Sequence, residues 1–310
     1  MLKEDETLVK KSNIIYHNAA YDVYDDLCGE HGNAVLSHFI HDYKLKILQK
    51  YIPVVSNALA IDIGTGTGNY AIRLHKLSFL TVIGADISHR MLLKCKKKEK
   101  RLFLICCDAE TLPFRDGTFD VATMNSILHH LPNPLKAIGE VNRVLKDNGI
   151  FLIGHEPHKI RFFGPDKMWP RGFPILDALS LCLIFLLKRI KGNRSNLVKQ
   201  KESLISERIA RELSFRGLLP GDIEREVQKY RSTYVDFIKG FTINELTSVI
   251  EDNGLRVIQI WTDLFSSHYF LIQLRDSVIS LKLLFTLEAF IRRIPALQVY
   301  GWGLSAIAEK

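Results

Sequence analysis

Between residues 55 and 155 the hydrophobic period of the chain changes again and again. Short apolar runs ("ALAIDI", "LTVIGA", "LFLICC", "FDVATM", "IFLIG") alternate with stretches whose apolar residues recur at helical spacing. A short apolar run between two helices reads as a buried strand, and strands joined through crossover helices lie parallel. The helices carry their own start signals. Ser88 precedes "HRMLLKCKK" as an N-cap, and Asn133 caps "NPLKAIGEVNRVL" with Pro134 at the first helical position. The pattern predicts a Rossmann-like, doubly wound α/β fold with a mostly parallel sheet, whose ligands bind beyond the carboxyl ends of the strands.

The sharpest stretch at such a strand end is "AIDIGTGTGN", Ala60–Asn69. Gly64, Gly66 and Gly68 fall at alternate positions, the first of them two residues after Asp62. Glycines between a strand and a helix permit a tight turn and let a ligand approach the main chain, and amides at the following helix start attract negative groups. Asp86 ends the second strand, where an acid can accept both hydroxyls of a ribose. Asp108 follows the third strand. A dinucleotide fingerprint requires its third glycine three residues after the second. That position is Asn69, which disfavours a nicotinamide-dependent oxidoreductase.

The flanks are less regular. Residues 34–52 place Leu36, Phe39, Ile40, Tyr43 and Ile47 at helical spacing, closed by Pro53. From about His155 to Gly240 no strand pattern is evident, so this segment reads as a helical insertion. Thr242 and Glu245 then form a capping box for a helix stopped by Gly254. "LRVIQIW" and "HYFLIQL" suggest an antiparallel C-terminal strand pair. A further helix, "SLKLLFTLEAFIRRI", and a last strand, "GLSAIAE", follow.

The formal charge of +8 favours an anionic ligand or surface. The five cysteines lack a C-x-x-C spacing, which argues against a disulfide framework or zinc knuckle and for a reducing, cytoplasmic compartment. No metal is expected.

Taken together, "AIDIGTGTGN", "VIGADISHRML", "CDAETLPFRDGTFDVATMNSILHHL" and "EVNRVLKDNGIFLI" resemble the class I S-adenosylmethionine-dependent methyltransferases, most closely the small-molecule branch that includes quinone and sterol methyltransferases. The resemblance covers roughly residues 55–156. It implies S-adenosylmethionine as cofactor. It also implies that Asp62, Gly64, Gly66 and Gly68 hold the methionine part and sugar edge, and that Asp86 binds the ribose, with Ile87 against the adenine. Asp108 and the amide of Ala109 would meet the adenine edge, and Asn125 would line the methionine end. A similar N-terminal segment in the family serves as a lid, which makes Tyr16 and Tyr21 candidates to cover the cofactor.

Substrate contacts are less defined. His130, in "LHHL", and Glu156, after the fifth strand, are the candidate catalytic residues, the alternative being structural packing. The resulting organisation is an N-terminal helical lid segment (1–54), a cofactor-binding core (55–155), a helical insertion acting as substrate lid (156–240) and a C-terminal completion of the sheet (241–310). The acceptor is expected to be small and lipophilic or aromatic, and nucleic acid is disfavoured. The segment 174–201, an apolar helix followed by a basic run, is a candidate for peripheral membrane contact. Oligomeric state is not encoded in these patterns.

Overall fold

The computed structural model describes residues 3–27, 41–52, 57–77, 80–159, 194–236, 240–263 and 303–310. The run 178–187, the segments 268–274 and 280–294, and the expected helix start at 34–40 lie outside these residues.

Seven strands form one sheet: β1 (Ala58–Ile63), β2 (Leu80–Asp86), β3 (Phe103–Cys106), β4 (Phe119–Asn125), β5 (Leu145–Pro157), β6 (Arg256–Asp263) and β7 (Gly303–Glu309), in the spatial order β3-β2-β1-β4-β5-β7-β6. β1 to β5 run parallel, and β7 is antiparallel to both β5 and β6. The mostly parallel doubly wound sheet with an antiparallel finish is therefore present. "LRVIQIW" pairs antiparallel with "GLSAIAE", far downstream; the run "HYFLIQL" expected beside it lies outside the described residues. β5 is also longer than the run "IFLIG". It begins at Leu145, paired with Phe119, and continues through a register shift between Ile153 and Glu156.

Period-two alternation in β1 gives each face of the sheet its own core. Ile61 and Ile63 point to one face, with Phe119, Phe151, Ile138, Val141, Leu246 and Ile250. Ala58 and Ala60 point to the other, with Leu74, Val82, Cys95, Leu152 and Ile307. Helices cover both faces because each must bury an apolar stripe. After α1 (Lys3–Ala20) and α2 (Tyr24–Leu27) come α3 (Tyr43–Leu48), α4 (Ala71–His75), α5 (His89–Lys98) and α6 (Pro134–Val144), followed by α7 (Arg194–Phe215), α8 (Pro220–Asp236) and α9 (Ile243–Glu251). The caps read from sequence are formed. The Ser88 hydroxyl accepts from Met91 N, Asn133 accepts from Lys136 N, and Thr242 and Glu245 complete a capping box.

α1 joins two parts of the molecule. Ile15 and Ala19 pack with Ile205, Ile209 and Leu213 of α7 and Tyr230 of α8 in a separate small core. Arg208 on α7 secures this unit by donating to the Ala19 carbonyl at 2.9 Å and to Asp22 at 2.8 Å. The opposite face of α1 turns Lys10, Asn13 and His17, spaced for one side of a helix, towards the sheet edge.

Candidate functional site

The glycine loop follows β1. The amides of Gly64 and Thr65 both donate to the Ala85 carbonyl, at 2.8 and 2.9 Å, which folds the loop back over β2. Two of its glycines have different reasons to be glycine. Gly66 has φ +54° and open space where a side chain would stand, so it bares its backbone to the pocket. Gly68 has φ +87°, and a side chain there would collide with the Cys95 sulfur of α5. Gly68 is absent from the pocket lining; it serves helix packing.

A single pocket runs along the carboxyl edge of β3, β2, β1 and β4. Asp62, Gly64, Gly66, Asp86, Ile87, Asp108, Ala109, Asn125 and His130 all line it. Its volume is about 1130 Å³, the open solvent at the mouth included.

Each carboxylate in the wall is held by local hydrogen bonds. Asp62 is buried and accepts the hydroxyls of Thr65 at 2.8 Å and Thr123 at 2.6 Å. Burial pushes its pKa up to about 6, against the pull of those two hydroxyls. Asp86 accepts the amide of Gly66 at 2.8 Å and that of Ser88 at 2.8 Å. Burial raises its pKa too, with the His17 ring opposing. Asp108 accepts the Glu110 amide at 2.9 Å. Its other oxygen meets the Lys10 amine at 2.7 Å, and the same amine reaches Glu110 at 2.6 Å. Lys10 thus ties α1 across the end of the pocket.

The His130 ring lies 6.0 Å from that of His17. Burial, and then the neighbouring His129 and His17, drive the His130 pKa well below the ordinary histidine value, so the ring is neutral near pH 7.

Besides Gly68, three candidate residues are absent from the pocket lining: Glu156, Tyr16 and Tyr21. Glu156 is fully buried and absent from the pocket lining. Its oxygens accept the amides of Ile127, Leu128 and His129 at 2.9, 3.0 and 3.1 Å, and His129 Nδ1 lies 2.7 Å away. It braces the loop after β4. Tyr16 packs against the α1–α7–α8 core, because one step along a helix turns a side chain by about 100° from its pocket-facing neighbour His17. Tyr21 lies under the Arg90 guanidinium, 5.7 Å from its ring centre. Tyr24, from the same N-terminal segment, lines the pocket instead.

Other lining residues gave no sequence signal, among them Lys10, Asn13, His17, His41 and Tyr70. Asp25 also carried none. It accepts the Thr67 hydroxyl at 2.5 Å and pairs with Lys94 and Lys98, both at 2.8 Å. Burial opposes its ionisation, but those two lysines hold its pKa well below the usual carboxylate range. α2 is thereby pinned to the glycine loop.

Among the described residues no group of three or more potential ligands is arranged to hold a metal ion, and no helix is long and apolar enough to cross a membrane.

Residues 61–153 match the family described as "Methyltransferase domain". This segment of the chain is a methyltransferase domain, and its fold is that of the class I S-adenosylmethionine-dependent methyltransferases. Within that class the chain is similar to the demethylmenaquinone methyltransferase of Staphylococcus saprophyticus. The two are 34% identical over 139 residues, which is 43% of this chain and 60% of the relative. The enzyme of the same description from Staphylococcus aureus strain JH9 is 36% identical over 125 residues, 39% of this chain and 52% of the relative. The chain therefore spans about half to 60% of these curated relatives. A SAM-dependent methyltransferase structure from Thermotoga maritima shares the fold, with a TM-score of 0.50 at 16% identity, covering 95% of this chain and 98% of that one.

Proposed function

We propose that this chain is an S-adenosylmethionine-dependent methyltransferase acting on a small, lipophilic or aromatic acceptor. The observation that carries this reading is the convergence of Gly66, Asp86 and Asp108 on one pocket along the edges of β1, β2 and β3. The residues fit the cofactor. Gly66 leaves its backbone bare, and the Asn125 carboxamide is buried with no hydrogen-bond partner among the described residues. When bound, the donor supplies an electrophilic methyl group on a positively charged sulfur.

The chain's own residues then bind, orient and keep out water. Asp86 takes the ribose hydroxyls and Ile87 lies against the base. Asp108 and the Ala109 amide read the adenine edge. Asp62 with Gly64, and Asn125 opposite, receive the amino-acid end. Asp62 favours a cation there, because a nearby positive group stabilises its ionised form. His130, with a neutral ring in the pocket lining, is placed to accept a hydrogen bond from a hydroxyl or amine on the acceptor; its lowered pKa makes it a weak base for taking the proton outright.

Alignment and exclusion of water make up most of the catalysis such a displacement needs. In this reading residues 1–54 form a lid over the core (55–155), 156–240 a substrate lid, and 241–310 the completion of the sheet. The similarity to demethylmenaquinone methyltransferases favours a quinone-like acceptor. Of the candidate membrane segment 174–201, only residues from 194 are described. They open α7, where Lys201 pairs with Asp26 at 2.9 Å.

Thermal unfolding in the presence of S-adenosylmethionine, S-adenosylhomocysteine and NAD tests the proposal. The first two raise Tm and NAD does not; the reverse pattern sinks it.

A further inference from the structure

The N-terminal segment and the glycine loop meet at one carboxylate, that of Asp25 on α2. One of its oxygens accepts the Thr67 hydroxyl at 2.5 Å. The other meets the amines of Lys94 and Lys98, each at 2.8 Å. These two lysines are four positions apart on α5, so they rise from one face of that helix to the same point. The face beneath them is fixed to the sheet by the buried side chains of Met91, Leu92 and Cys95. Lys94 also donates to the Asp22 carbonyl at 2.9 Å.

Thr67 is the residue this cluster holds most closely. It is 1% exposed. Its hydroxyl donates to Asp25 and accepts from the Lys98 amine at 2.9 Å. A hydroxyl engaged both as donor and as acceptor cannot turn without breaking one of the two bonds. The position of Thr67 in the loop is therefore set from outside the loop.

Its neighbour Gly66 is the residue with least to hold it. Gly66 has φ +54° and no atom within contact distance of where a side chain would stand. A glycine in such surroundings keeps one orientation only if both of its ends are anchored. On one side its amide donates to Asp86 at 2.8 Å. On the other side the anchor is Thr67. A continuous series of contacts thus runs from Asp25 through Thr67 and Gly66 to Asp86. Gly66, Thr67 and Asp86 all line the pocket, as does Tyr24, which precedes Asp25.

We propose that Asp25 is a positioning residue for the nucleoside side of the pocket. Through Thr67 it sets the orientation of the Gly66 backbone and, with it, that of the Asp86 carboxylate. The inference rests on the methyltransferase reading for the identity of the ligand, and on the contacts alone for the mechanism of positioning.

The test compares the full chain with Asp25→Ala, Thr67→Val and the double variant. In Asp25→Ala the two lysines can turn to water, since both side chains are partly exposed. S-adenosylhomocysteine is titrated calorimetrically into each protein well below its unfolding midpoint. Each single variant is expected to bind roughly tenfold more weakly, the lower end for a hydrogen bond to a charged group. The double variant binds no more weakly than the poorer single, because both changes break the same link. A merely structural role for Asp25 lowers Tm and leaves the affinity of the folded protein intact. Unchanged affinity in Asp25→Ala, or losses that add in the double variant, overturns the proposal.

A second measurement needs no ligand. Amide hydrogen exchange of residues 64–69 is expected to quicken in Asp25→Ala while that of β4 stays the same. Equal protection of the loop in both proteins also overturns the proposal. If the unmodified chain binds no S-adenosylhomocysteine, the methyltransferase reading fails, and the exchange rates decide the role of Asp25 by themselves.

Discussion

The Glu156 carboxylate at the end of β5 and the His129 ring in the loop after β4 meet at 2.7 Å, the carboxylate fully buried and the ring nearly so. Burial alone would push the Glu156 pKa up. The His129 ring and the amides of the same loop outweigh it and hold the group ionised, below the usual glutamate value. A carboxylate has no proton to give, so His129 donates from Nδ1. Replacing Glu156 with Gln removes the charge and turns an N–H₂ towards amide donors. Breaking a buried pair of this kind costs about 3–5 kcal/mol. Urea unfolding of Glu156→Gln is expected to fall near the lower bound, because the Gln oxygen still accepts one amide. An unchanged midpoint would show that the loop does not depend on this brace.

The two glycines contrasted above separate binding from folding. Gly66→Ala puts a methyl into open pocket space at positive φ, which costs about 1–2 kcal/mol of stability. It is expected to weaken S-adenosylhomocysteine binding by more than tenfold. Gly68→Ala meets the Cys95 sulfur as well as positive φ, and its larger loss appears in the unfolding midpoint. Calorimetric titration and denaturation of both variants decide the assignment. Equal effects on binding and stability would erase the distinction.

Asp62 gives a pH dependence of known sign. Its folded pKa of about 6 lies above the ordinary 3.8. The folded state therefore holds the proton more tightly, and stability falls as pH rises from about 4 to about 6. The difference corresponds to at most about 3 kcal/mol. Asp62→Asn is expected to flatten this slope and to be the more stable protein at pH 8. Binding has the opposite sign. A ligand carrying an ammonium beside Asp62 prefers the ionised acid, so S-adenosylhomocysteine affinity drops as pH falls through about 6. Titrations from pH 5 to 8 on both proteins check the two slopes.

The Lys10 bridge to Asp108 and Glu110 is half-buried, so its removal carries a moderate penalty. Lys10→Met is expected to cost about 1 kcal/mol and to speed amide hydrogen exchange along α1 more than in the sheet. Uniform exchange rates in α1 would mean that packing on α7 and α8 alone holds the helix.

What could be read from the sequence follows from the range of the interactions involved. β1, β2 and β4 announced themselves because both sheet faces are buried, and Ser88, Asn133 and Thr242 because a cap is a contact within three residues. Asp86 and Asp108 were legible as acids at strand ends. Lys10, Asn13 and His17 were not. Their helix has two working faces, and only the packing of Ile15 and Ala19 on α7 and α8 decides which one meets the pocket. The same ambiguity left the packing of Tyr16 against α7 and α8 unread. Glu156 looked like chemistry because it follows a strand at the ligand edge. Its partners are backbone amides 27 to 29 positions upstream, which no local pattern reveals. The pairing of β6 with β7 went unread for a similar reason, since the two are about forty positions apart and loop closure favours a nearer partner.

The place of β7 between β5 and β6 has a consequence for the order of events during synthesis. Residues 303–309 are made after the other six described strands, yet they fill a slot between two of them. Until they leave the ribosome, β5 has an open edge along Ile150–Ile153 and β6 has no neighbour on that side. Such unpaired edges invite pairing with another chain. The nascent protein must therefore wait with its sheet ajar, and its last seven-residue strand works as a zipper that joins the two halves of the sheet.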